Sequence, residues 1–230
     1  MMSIAFQEFK SLITSPLGYL ILFCFMIILS YLYYGSMERL TDIAHMSPYS
    51  IAPLSAFFNN QAISIVFLII FPTITMKLIS EEKSNGTYEI LLTCPIKSWE
   101  IICGKFFGIF FYYLLLWLPS FFHIFLISQI GAVDKGQIIA IYLYLLVSGA
   151  AFISIGLLSS SLFKSQLAAF ITTLLLLLPF NGHIFLEKAN QVRDFLFSLY
   201  INKQLETICR GTIDLFPFSL FLLISLVSLY

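Results

Sequence analysis

The sequence predicts an all-α integral membrane protein with six transmembrane helices. Three observations carry this. The 230-residue chain is 60% hydrophobic and 10% charged, with a mean hydropathy of +0.96, whereas soluble domains are about half apolar and a quarter charged. Its apolar residues fall in long runs, most of them near the ~20 residues a helix needs to cross a hydrocarbon core of ~30 Å. The polar residues between runs are gathered into short, turn-rich segments that leave no room for a sizeable soluble domain. A bilayer offers no water to the backbone, so helices, which satisfy their own N–H and C=O groups, are the expected element. Residues 1–230 therefore read as a single transmembrane domain.

Residues 1–16 are a short polar lead in which "FQEFK" can begin an amphipathic helix, and Pro16 suits a first helical turn. The first span is about Leu17–Tyr34, closed by the interfacial tyrosines Tyr31, Tyr33 and Tyr34. This run is longer than the ~7–15 apolar residues of a cleavable signal and no A-x-A-like site follows, so it reads as a retained span. Residues 35–61 read as a polar loop. The second span is about Ala62–Leu78, with Pro72 as a kink. A charged insert, 79–104, leads to the third span at about Lys105–Ile130. The turn "GAVDKGQ" (131–137) precedes the fourth span, about Ile138–Phe163. The brief "KSQ" (164–166) makes the fifth, about Leu167–Leu186, an antiparallel neighbour, with Pro179 kinking it near Asn181 and Gly182. Residues 187–214 carry eight charges of mixed sign, with Val192, Phe195, Leu199 and Ile208 at partial helical spacing and Gly211 placed to end that helix. The sixth span is about Leu215–Tyr230.

The formal net charge is zero, so no basic field points to nucleic acid. Cys24, Cys94, Cys103 and Cys209 form no CxxC pair and predict neither a disulfide framework nor a zinc site. His45, His123 and His183 are far apart and read as polar contacts. The HExxH and GxSxG motifs are absent. The P-loop pattern fails at Gly104-Lys105, where Trp99 stands in place of the first glycine and Phe106 follows the lysine. The chain is thus not predicted to be an enzyme or to hold a cofactor, and any ATP-driven work would come from a partner. The span interiors hold almost no ionisable residues besides His123 and His183, so no carboxylate relay is expected.

Two small-residue patterns, Gly104 with Gly108 and "SGAAFISIG" (148–156), can let helices approach closely. The serines of "SSSLF" (159–163) read as packing and back-bonding residues. Positive charges do not fix orientation by number. With the N-terminus and the insert on the cytoplasmic side, six lie inside and six outside. Lys77, Lys105 and Lys164 hug span ends, which favours that orientation.

The insert is the informative segment. Lys77 to Lys83 continue the second span as a helix with Glu81 and Glu82, and Asn85-Gly86 is a helix stop. "TYEILLT" follows, Pro95 breaks again, and Ser98 can cap a helix with Trp99 and Glu100 in its first turn. One or two short amphipathic helices on the membrane surface are expected.

The stretch "PTITMKLISEEKSNGTYEILLTCPIKSWEIICGKFFG" (72–108) resembles the signature region of ABC-2-type transporter permeases. The matching residues are Lys77, Glu81, Glu82, Gly86, Thr87, Glu89, Leu91, Leu92, Pro95, Trp99, Ile102, Gly104 and Lys105. "EFKSLITSPLGYL" (8–20) and "RGTIDL" (210–215) are similar to segments of the gliding-motility-type subgroup. The resemblance implies the membrane half of an ATP-binding-cassette exporter in the bacterial inner membrane. Two permeases, alike or different, would sit in the lipid bilayer and pair with two ATPase subunits docked on them. The insert between spans two and three would be the cytoplasmic coupling helix. Glu81, Glu82, Gly86, Thr87, Glu89 and Pro95 would be its coupling residues. The alternative is a membrane assembly or motility factor that transports nothing.

Overall fold

A computed structural model describes residues 2–46, 53–58, 61–87, 97–130, 134–184, 200–209, 211–212 and 214–229. Every regular element among them is helical. Helix α1 spans Met2–Thr14, α2 Pro16–Met46, α3 Pro53–Phe58, α4 Gln61–Thr75 and α5 Ser80–Asn85. Helix α6 spans Ser98–Ile130, α7 Lys135–Leu162 and α8 Gln166–Leu177, which tightens into a 3₁₀ stretch over Leu178–Ile184. Helices α9 (Ile201–Cys209) and α10 (Leu215–Leu229) complete the described chain. Four helical stretches are long and apolar enough to cross a membrane: Pro16–Glu38, Ala62–Asn85, Ser98–Gln129 and Lys135–Leu162. Gln166–Asn181 and Leu215–Leu229 are shorter apolar helices.

Helix α7 lies at the centre and touches α4, α6, α8, α9 and α10. Its middle residues Ala151, Phe152 and Ile153 are fully buried. Small residues let its neighbours come close: a Cβ on Gly149 would fall 2.4 Å from the Tyr113 ring of α6, and one on Gly156 2.2 Å from Thr75 Oγ1 of α4. Lipid tails are as apolar as leucine, so tight packing and internal hydrogen bonds hold such helices together. Tyr113 donates from its hydroxyl to the Leu145 carbonyl at 2.8 Å, and Tyr112 to that of Gly18 at 2.7 Å. Edge-on contacts among Phe67, Phe71, Trp117 and Phe152 fill the space between.

Several boundaries differ from the sequence reading. The polar lead is a helix, α1, laid along α6. Residues 35–61 are largely not a loop. "SMERLTDIAHM" holds no proline or internal glycine to stop a helix, so α2 runs on to Met46. Helix α3 then sends Leu54, Phe57 and Phe58 into the core. Asn59 and Asn60 lie outside the described residues, as do the 185–199 segment with Val192, Phe195 and Leu199, and Arg210. No separate surface helix begins at Ser98. Residues 98–130 form one continuous helix, about 50 Å long at ~1.5 Å per residue and so longer than a hydrocarbon core is thick. Ser98 is not its cap either: Glu100 reaches back to accept the Lys97 N–H at 3.3 Å.

Helix α9 lies at the end of the bundle opposite the insert. Ile201, Gln204, Leu205, Ile208 and Cys209 are buried on one face, and Asn202 accepts the Ser64 hydroxyl at 2.6 Å at the start of α4. Gly211, in the left-handed region at φ 86°, ends α9. Its N–H donates to the Ile208 carbonyl and that of Thr212 to the Thr207 carbonyl, the paired bonds of a Schellman stop. Burial, helped by Glu206, pushes the Cys209 thiol up from 9.0 to about 12. The thiolate is the nucleophile that attacks maleimide, so Cys209 is expected to label far more slowly near pH 8 than an ordinary thiol. Mass spectrometry of the labelled chain before and after denaturation checks this. Equal labelling in both states would show that α9 does not cover it.

Candidate functional site at the charged insert

The apolar path of α4 breaks over residues 76–79 before α5 resumes. Such a break leaves backbone groups unpaired inside the bundle, which is costly unless other groups meet them. Ser160 of α7 meets three. Its hydroxyl oxygen accepts the N–H of Ile79 at 3.0 Å and of Ser80 at 3.1 Å, and its proton goes to the Met76 carbonyl at 3.2 Å. That uses the full capacity of a hydroxyl. The Ser80 hydroxyl also donates to the Met76 carbonyl, and the Lys83 ammonium to the Ser161 carbonyl at the end of α7. Ser159 and Ser161 instead bond back into their own helix.

Lys105 of α6 closes the other side. It is 2% exposed. Its ammonium donates to Glu8 Oε1 of α1 at 2.6 Å, to Glu82 Oε1 of α5 at 2.7 Å, and to the Leu78 carbonyl at 2.9 Å. All three protons of the ammonium are therefore placed, which is what a buried cation requires. Glu82 Oε2 is buried with no protein partner. Beside the cluster is a cavity of about 380 Å³ whose walls include Glu8, Ser11, Thr73, Lys77, Glu81 and Lys105. The first helix of the insert is thus tied at once to α1, α6 and α7.

The model of the ABC-2 family of transporter proteins matches residues 41–229. The chain belongs to that family. None of the curated proteins matches it. As an ABC-2 transporter protein it is a membrane component of transport and not itself a catalyst.

In this ABC-2 protein, four of the six residues expected to couple lie in or beside α5. Glu81 and Glu82 occupy its first turn, where the helix dipole favours negative charge. Gly86 ends it in the left-handed conformation, at φ 73° and ψ 2°. The Thr87 hydroxyl donates to the Glu82 carbonyl at 3.3 Å. Glu89 and Pro95 lie outside the described residues. Gly104 is buried on α6. Gly108 faces α1, where a Cβ would meet Glu8 Cβ at 2.7 Å and the Ala5 carbonyl oxygen at 2.9 Å.

Three residues that organise the site were not singled out by sequence reasoning. Glu8 sits in a segment read as a lead. Ser160 is one of three adjacent serines. Lys105 reads in sequence as a span-end cation and a motif match, not as a buried ion-pair centre. The structure starts α6 at Ser98, which places Lys105 in its third turn. A charge that far into an apolar helix is the signal that could have found it.

Proposed function

We propose that the chain is the six-span permease subunit of an ATP-binding-cassette exporter in the bacterial inner membrane. Its N-terminus and insert face the cytoplasm. Residues 1–230 act as one transmembrane domain, paired with a second permease, alike or different, and with two ATPase subunits. The motifs at 8–20 and 210–215 favour the gliding-motility-type subgroup. Residues 79–104 are the coupling segment, and Glu81, Glu82, Gly86, Thr87, Glu89 and Pro95 transmit or shape the contact with the ATPase. One observation carries this reading. The charged helix α5, in a chain that lacks a P-loop, is bonded to α6 and α7 and, through Lys105, to α1, so a force applied to it reaches the spans.

The test is co-expression with an adjacent-encoded ATP-binding-cassette ATPase, extraction in mild detergent, and measurement of ATP hydrolysis by the complex. Gly86→Val is the informative variant. A Cβ at Gly86 meets nothing within 4 Å, so any effect comes from the left-handed backbone, which disfavours an L side chain by about 1–2 kcal/mol and a β-branched one by more. Gly86→Val is expected to insert normally and lose most of the hydrolysis that depends on coupling. Gly86→Asn, which tolerates that conformation, is expected to keep it. Normal hydrolysis by Gly86→Val would remove the coupling role of this turn. No association with such an ATPase would shift the weight to the non-transporting assembly factor.

A further inference from the structure

Helix α1 lies close along α6 but buries few of its side chains there. Only Ala5 is buried on it, Phe9, Leu12 and Ile13 are partly covered, and Met2 and Phe6 are 86% and 68% exposed. Its link to α2 is a single residue, Ser15, whose hydroxyl accepts the Gly18 N–H at 2.9 Å and donates to the Leu12 carbonyl at 3.0 Å. Against that thin apolar contact stands a buried ammonium shared by two carboxylates from different helices, Glu8 on α1 and Glu82 on α5. Without the cation, Glu8 Oε1 and Glu82 Oε1 would converge on one small volume as two like charges and repel each other.

We propose that Lys105 is a positioning residue, an ionic latch that locks helix α1 to the first helix of the insert, so that the two move as one body. The movement rests on the permease reading above; the latch itself does not. An interaction that leaves one charge buried and unpaired when broken is strongly cooperative. Removing the shared lysine therefore releases both partners together. Helix α1 would carry displacements of the insert to α2 through the one-residue link at Ser15, a route separate from the Ser160 contact with α7.

The latch is tested in the full chain in membrane vesicles, with its four native cysteines replaced by alanine and Ala5→Cys introduced as the probe. Ala5 is 5% exposed under α1, so maleimide reaches it only when α1 lifts from α6. With Lys105 present, labelling is expected to be slow, and Lys105→Arg is expected to keep it slow. In Lys105→Met it should rise at least about tenfold, because a buried pair has been broken. Combining Glu8→Lys with Lys105→Glu, which again places one cation with two carboxylates, should restore protection. Continued protection in Lys105→Met overturns the latch. So does release that the exchanged pair fails to reverse, since a lysine that merely fills space would behave that way. In the complex with an ATPase subunit, Lys105→Met should lower hydrolysis about tenfold and the exchanged pair should recover it. If no ATPase binds, the permease reading fails while the labelling result still decides the latch.

Discussion

Gly156→Leu is expected to deplete the folded protein from the membrane. Even a Cβ at this position would sit 2.2 Å from Thr75 Oγ1, 2.6 Å from its Cβ and 2.7 Å from its Cγ2. Thr75 cannot step aside: it is fully buried, is stiff at χ1, and its hydroxyl is bonded to the Phe71 carbonyl at 2.7 Å. Helix α7 must therefore move away from α4. Ser160, one turn further along α7, would then be pulled from the Ile79 and Ser80 N–H groups that it caps. Overpacking of this kind costs about 1–3 kcal/mol, and each orphaned buried donor adds about 1–3 kcal/mol more. A loss of that size can exceed what a marginally stable fold tolerates. Immunoblot levels in isolated membranes and resistance to limited proteolysis check it. Gly35→Leu is the control, because a Cβ there meets nothing within 4 Å. Normal levels of Gly156→Leu would mean that the α4–α7 crossing is looser than the structure has it.

The helices were legible because their signal is local. Long apolar runs write themselves into composition, and the stops at Asn85-Gly86 and Gly211 use backbone conformations that favour glycine. The errors share a cause as well. Hydropathy marks where a helix leaves an apolar setting, not where it ends. Hydropathy therefore cuts α2 at its tyrosines and separates the helix beginning near Ser98 from the span at Lys105, although the two are one continuous helix. Helix α3 was lost because six residues beside prolines carry no periodicity. The site was legible only along the chain. Glu82 and Gly86 belong to a recognisable motif, but the Lys105 ammonium that holds Glu82 also holds Glu8, 97 positions away. The Ser160 contact likewise spans 81 positions. A serine that bonds its own helix and one that clamps another read identically in sequence, and tertiary geometry separates them.

Glu82→Lys is expected to abolish most ATPase coupling while the chain still inserts. Glu82 Oε1 lies 2.7 Å from Lys105 Nζ, so the substitution sets a second ammonium against a cation that is 2% exposed. Breaking one side of a buried pair typically costs about 3–5 kcal/mol. Here part of that is relieved, because Glu8 remains as a counter-charge at 2.6 Å and the side chain at position 82 keeps a route to solvent, being 24% exposed. The new lysine therefore swings outward and takes α5 with it, sparing the bundle and distorting the insert. Hydrolysis per purified complex should fall about tenfold or more, with membrane levels near normal. Glu82→Gln keeps an acceptor for the Lys105 proton without the charge, and its loss should be intermediate. High salt should not rescue Glu82→Lys, because buried pairs are screened little. Wild-type hydrolysis by Glu82→Lys at normal levels would reduce Glu82 to a solvated charge at the membrane edge. A graded fall from glutamate to glutamine to lysine would instead tie the coupling to the charge that Lys105 holds.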